Sequence, residues 1–179
     1  MSMNYTIAIF PKFAGIDNIN SIRKKYDPSY DWLKPHIALV YYFKEKPLTK
    51  KIHEITKEFS PFKIKLNKIR ASSKHNLIFL DVTDGREEII KIKNILYKKL
   101  GLRWDKNFSY APHITIANLK TKKEQQNALK EIKNKPPSFL CEVNSFHVLE
   151  VSEDLKRVKS RKNLNSLKSG NSSIPYFLY

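Results

Sequence analysis

The tripeptide Pro-His-Ile occurs twice in the chain, as Pro35-His36-Ile37 and Pro112-His113-Ile114. Each copy opens an apolar run, Ile37-Ala38-Leu39-Val40 and Ile114-Thr115-Ile116-Ala117, that reads as a buried strand. Imidazole is polar and costs free energy to bury alone, so two histidines leading two core strands predict one shared polar site. On a strand, residues i and i+2 share a face. His36 therefore points with Ala38, and His113 with Thr115, while Ile37, Leu39, Ile114 and Ile116 anchor the opposite face. Two imidazoles titrating near neutrality can divide proton transfer between them. That pair suits a phosphodiester. The neutral ring takes a proton from water or a ribose hydroxyl, and the imidazolium protonates the departing oxygen, each worth roughly two to four orders of magnitude. Thr115 would donate its hydroxyl to a non-bridging phosphate oxygen as charge builds there.

The elements that position these residues repeat in chain order. Tyr5 to Phe10 alternates as a strand, Asp17 to Tyr26 forms a short helix, and the His36 strand follows. Leu48, Ile52, Ile55 and Phe59 then recur at helical spacing, before a strand over Phe62 to Leu66. In the second half, Leu77 to Val82 reads as a strand. Asp84 with Glu87 would cap a helix whose stripe is Ile89, Ile92, Leu96 and Leu100, ended by Gly101. After the His113 strand, Thr121 to Glu124 forms a capping box for a helix facing the core with Ala128, Leu129 and Ile132, and Phe139 to Val143 alternates again. The interval from His36 to Phe62 is 62 − 36 = 26 residues, and from His113 to Phe139 it is 139 − 113 = 26. Equal intervals argue for duplicated βαβαβ halves, with the histidine strands facing each other across a central cleft. The expected organisation is one domain of two pseudo-symmetric lobes, about 1–72 and 73–155. Residues 143–151 continue or add a strand, 156–173 form a basic loop and 174–179 a final strand.

Composition narrows the setting. With 179 residues and 41% apolar content the chain can bury a core, and no run reaches the length of a membrane span. The beginning of the chain lacks a charged segment followed by an apolar one. A lone Cys141 within a strand-like run reads as an inert thiol of a reducing compartment, so a cytoplasmic location is expected. The formal charge of +17 admits a polyanionic partner, although lysine-rich surfaces are often only solvated. After Asp154 no acidic residue remains, while Lys156, Arg157, Lys159, Arg161, Lys162 and Lys168 follow. Neither HExxH, CxxC nor an acidic cluster accompanies the histidines, so no metal and no cofactor are expected. Tyr42 and Tyr110 are the candidates for stacking a base, among the flanking aromatics Tyr41, Phe43 and Phe108. Lys34 and Lys120, near the ends of the histidine strands, are candidate phosphate contacts; solvated surface lysines are the alternative. His53, His75 and His147 read as structural.

Two H-x-T/S-like strands in a duplicated chain of this size resemble the 2H phosphoesterase superfamily, the 2′-5′ RNA ligase-like and cyclic phosphodiesterase proteins. The stretches Ile22-Arg-Lys-Lys-Tyr-Asp-Pro28, Lys34-Pro-His-Ile-Ala-Leu-Val40 and Tyr110-Ala-Pro-His-Ile-Thr-Ile-Ala117 carry the resemblance. It implies an α+β fold in which two mainly antiparallel sheets form a V-shaped cleft with helices outside. It also implies metal-independent hydrolysis or transesterification of RNA-derived 2′,3′-cyclic phosphates or 2′-5′ linkages. His36 and His113 would be the catalytic pair, His113 the base and His36 the acid, with Thr115 binding phosphate. The partner expected is an RNA or nucleotide bearing such a group, acted on by a monomer away from membranes.

Position 38 departs from the pattern, carrying Ala38 where Thr or Ser is expected. A hydrogen bond to a charged group is worth about 1.5–3 kcal/mol, so its loss slows catalysis by about one to two orders of magnitude. The alternative reading is an RNA-binding or weakly active protein of the same fold. ATP-dependent ligation ranks lower, because there is no P-loop pattern and only four glycines.

Overall fold

The computed structural model describes residues 4–44, 49–104, 109–134 and 136–164. Along them run β1 (Asn4–Ile9), α1 (Ile16–Tyr26), β2 (Ile37–Phe43), α2 (Thr49–Thr56), β3 (Phe62–Ala71) and β4 (Leu77–Val82). Then come α3 (Arg86–Leu100), β5 (His113–Asn118), α4 (Lys122–Asn134), β6 (Phe139–Val143), β7 (His147–Val151) and β8 (Val158–Asn163). The strands form two four-stranded antiparallel sheets, ordered β2-β1-β7-β8 and β5-β4-β3-β6, and the fold is α+β.

Period-two burial is clear on both histidine strands. Ile37, Leu39, Ile114 and Ile116 are fully buried, whereas His36, Ala38, His113 and Thr115 on the alternate face are only half-buried. The aliphatic face joins one continuous core with Ile89, Ile92 and Leu96 of α3 and Ala128 and Ile132 of α4. At about 25 cal/mol per Å² of apolar surface removed from water, this burial is the main force fixing the strands.

Helix ends follow local chemistry, with one correction. Thr121 and Glu124 make the reciprocal capping box: the Glu124 amide donates to Thr121 Oγ1 at 3.2 Å, and the Thr121 amide to Glu124 Oε2 at 3.1 Å. Gly101 ends α3 in the left-handed region at φ 69°. Asp84, however, is not the cap of α3. The capping position is Gly85 at φ 73°, where a Cβ would lie 2.4 Å from the Lys63 carbonyl oxygen of β3. Close approach of the helix start to the sheet therefore selects glycine there.

The two sheets do not divide the strands as the chain-order halves do. A tight return over Ser72–Asn76, closed by the Ser72 amide donating to Leu77 O at 2.9 Å, pairs β3 with β4. The last strand of the first half thus belongs to the sheet of β4, β5 and β6, and β7 and β8 complete the sheet of β1 and β2. The basic segment also differs from the expected loop, since 158–163 is β8, paired with β7. Its residues are all exposed or half-buried, so it is held by backbone hydrogen bonds at a sheet edge and shows no apolar alternation. The rest of that segment from 165, and the final strand expected at 174–179, lie outside the described residues, as does Phe108.

Candidate active site

Between the sheets, β2 and β5 pack against each other. They bring His36 and His113 to one cavity of about 140 Å³, whose lining also includes Ala38, Tyr42, Thr115 and Thr6. The two Pro-His pairs explain their own orientation. His36 Nδ1 is 3.0 Å from the Lys34 carbonyl oxygen, and His113 Nδ1 is 2.6 Å from that of Ala111. A carbonyl only accepts, so in both rings Nδ1–H donates. The intervening proline, with its fixed φ, helps turn that carbonyl towards the ring. Each neutral ring then keeps its lone pair on Nε2, the atom left free for the cavity.

Each histidine rests on a phenylalanine that is itself covered by an arginine. Phe79 lies 4.1 Å from the His113 ring, and the Arg70 guanidinium sits 4.6 Å from the Phe79 centroid. Phe10 lies 5.9 Å from His36, and Arg161 sits 4.0 Å from Phe10. Arg70 is gripped by Asp81 through Nε and Nη2 at 2.6 and 2.8 Å, and Asp81 is the cross-strand partner of His113. Arg161 instead donates from Nε to His147 Nδ1 at 3.2 Å. Burial and the Arg161 charge push His147 down to about 4, so it stays neutral and can accept.

Burial also lowers both cavity histidines. His36 falls to about 4, with the Arg23 and His113 charges adding to the effect. For His113, Asp81 opposes the lowering and Arg70 adds to it. Arg23, only 2% exposed, holds the segment before His36: it donates from Nε to Asp27 at 2.9 Å and from Nη2 to the Leu33 carbonyl at 2.7 Å.

Ala38 presents a methyl group to the cavity. Thr6 does not supply the missing donor, because its hydroxyl is given to the Val40 carbonyl at 2.6 Å. Thr115 Oγ1 makes no hydrogen bond to another described residue and is available. Of the outlying candidates, Tyr42 lines the cavity and Tyr110 does not. Tyr110 is 9% exposed and donates its hydroxyl to the Ala38 carbonyl at 2.7 Å, so it braces β2 from behind and has no open face for a base. Lys34 acts through its carbonyl, its side chain being outside the lining. Lys120 lies in a separate groove with Asn118 and Glu124. Sequence reading missed Phe10, Arg70, Phe79 and Asp81. Asp81 carried a legible signal, a carboxylate inside the apolar run Leu77 to Val82. Cys141 is buried, which pushes its thiol up to about 11. Among the described residues no three of His, Cys, Asp and Glu come together as a metal site, and no helix is long and apolar enough to cross a membrane.

An α+β fold with two histidine strands meeting at a cavity defines the class. Residues 11–155 match the model of the 2′-5′ RNA ligase superfamily, and the chain belongs to that family. A Geobacillus thermodenitrificans protein named "putative phosphoesterase" is 33% identical over 156 residues, covering 82% of this chain and 87% of the relative. A Bacillus licheniformis protein of the same description is 28% identical over 153 residues, covering 82% and 89%. Among solved structures, Escherichia coli LigT complexed with 3′-AMP superposes with a TM-score of 0.63 at 15% identity, covering 91% of this chain and 98% of LigT. The apo form of LigT gives 0.60 at 18% identity, covering 90% and 97%.

Proposed function

We propose that the protein is a phosphodiesterase that opens RNA-derived 2′,3′-cyclic phosphates or 2′-5′ linkages by two-histidine acid–base catalysis. The observation that carries this reading is the pair of rings, each tied back through Nδ1, sharing a cavity with an uncommitted threonine hydroxyl. One neutral Nε2 takes a proton from water as the water oxygen bonds to phosphorus. The other ring, as imidazolium, gives its proton to the leaving ribose oxygen as the P–O bond breaks, yielding a phosphomonoester and a free hydroxyl. Exchange with solvent restores the starting protonation. Thr115 donates to a non-bridging oxygen throughout.

The environments favour His36 as base and His113 as acid, the reverse of the roles expected from the resemblance. Burial is the largest cause and lowers both rings; the Arg23 charge adds to it at His36, whereas the Asp81 carboxylate opposes it at His113. A bound phosphate adds negative charge that favours one imidazolium. The direct test incubates the protein with 2′,3′-cyclic mononucleotides and a 2′-5′ dinucleotide. A phosphomonoester product supports the proposal, and intact substrates across the panel contradict it. The methyl group at Ala38 favours a second reading, a protein that binds RNA phosphate and turns it over slowly.

A further inference from the structure

We propose that the groove beside His113 binds single-stranded RNA adjoining the reacting phosphate, making the substrate an oligonucleotide and not a mononucleotide. The inference rests on the phosphodiesterase reading for what sits in the cavity and goes beyond it in naming how much of the substrate is held. The groove has a volume of about 920 Å³ and continues directly from the cavity, sharing Tyr41, Tyr42, His113 and Thr115 with it. That is near the top of the roughly 300–1,000 Å³ range of small-ligand sites.

Its chemistry is that of a strand-binding track. Tyr41 and Trp104 stack at 5.7 Å with their planes 20° apart, and Tyr41 and Tyr42 are 43% and 44% exposed. Flat aromatic faces accept any base, and nearby cations track the backbone. Lys74 and Arg103 supply the cations, Arg70 being paired with Asp81, and none of the described lining residues is acidic. The separate groove of about 740 Å³ beside Lys120 is different, lined by Asp27, Asp31, Glu124 and Glu131 among its lysines. A phosphate chain is attracted along the first groove and opposed by carboxylates in the second.

The stacking platform is held in advance of binding. Lys93, 5% exposed, places Nζ 3.7 Å from the centre of the Trp104 ring, and Tyr97 and Tyr110 stand nearly perpendicular to that ring with centroids 5.4 and 5.9 Å away. The Tyr41 amide donates to the Tyr97 hydroxyl at 3.2 Å, and the Tyr110 hydroxyl to the Ala38 carbonyl at 2.7 Å. Platform and His36 strand are therefore braced together, which lowers the ordering cost of binding. The scissile phosphate sits in the cavity, its base on the exposed ring of Tyr41, which Trp104 backs, and the next phosphate beside Arg103 and Lys74.

The test compares an RNA trinucleotide ending in a 3′-phosphate with adenosine 3′-monophosphate by calorimetric titration at several salt concentrations. The trinucleotide should bind at least tenfold tighter. Arg103→Ser, at an exposed site, should weaken trinucleotide binding about fivefold and flatten its salt dependence by about 0.7 in log–log slope. Tyr41→Ser, which removes the exposed ring, should cost about tenfold or more. Equal affinity for the two ligands overturns the proposal, as does a trinucleotide affinity that neither variant changes. Binding of these product-like ligands needs no turnover. A trinucleotide advantage in a protein that hydrolyses nothing supports the groove and removes the reaction, whereas hydrolysis of a cyclic mononucleotide without that advantage overturns the groove alone.

Discussion

Asp81 and His113 are cross-strand partners, and Asp81 holds with both carboxylate oxygens the arginine that covers the phenylalanine beneath His113. The His36 side repeats the stack with Phe10 and Arg161, but there the arginine is met by the neutral ring of His147. The two stacks are thus alike in residue type and different in charge: a carboxylate answers the arginine on the His113 side and a neutral ring answers it on the His36 side.

Replacing Asp81 by asparagine removes the carboxylate that favours the His113 imidazolium and leaves the Arg70 charge unanswered. Both changes lower the pKa of the acid. The alkaline limb of the kcat/KM profile should move to lower pH by about one unit or more. An unmoved alkaline limb with a shifted acid limb would assign the acid to His36.

Ala38→Thr restores a hydroxyl on the cavity face of β2. One further hydrogen bond to a charged phosphate should raise cyclic phosphodiesterase turnover about ten- to a hundredfold. Steady-state kinetics on a cyclic mononucleotide would detect it. No change in turnover or phosphate affinity would show that position 38 does not meet the phosphate.

Arg23 is buried with Asp27 and bonds the Leu33 carbonyl ahead of His36. Removing one partner strands the other's charge, so Arg23→Met should lower the free energy of urea unfolding by about 3–5 kcal/mol. A loss below about 1 kcal/mol would mean that Asp27 finds another partner.

His36 and His147 titrate near 4 when folded, below the ordinary value of 6.5. Between those values the unfolded chain binds protons that the folded chain does not, so stability falls as pH drops from about 6.5 to about 4. His147→Gln keeps an acceptor for Arg161 and removes one of these groups. The stability lost between pH 7 and pH 4.5 should then shrink by up to about 2–3 kcal/mol, read from urea midpoints. An unchanged loss would show that His147 is protonated in the folded protein.

Elements with strong periodicity were legible in the sequence. The stripe of α3, the capping box of α4 and the alternation of β2, β5 and β6 all follow from residue spacing. β8 was not legible, because an edge strand polar on both faces carries no apolar period. Nor was the exchange of β3 between halves, which depends on the return at Ser72–Asn76 and not on pattern. At the site, the repeated Pro-His-Ile pointed to the two rings and Thr115. The arginine–phenylalanine stacks come from residues distant in sequence, Arg70 with Phe79 and Arg161 with Phe10, so only folding brings them into view. Tyr110 shows the opposite failure: an aromatic beside a motif looked available, but its ring belongs to the core.

The most direct measurement is hydrolysis of a 2′,3′-cyclic nucleotide by the wild type, His36→Ala and His113→Ala, with circular dichroism to check folding. The account predicts that each folded single variant loses at least a hundredfold in kcat/KM, since each removes one proton-transfer partner. Wild-type rates in both folded variants would contradict it.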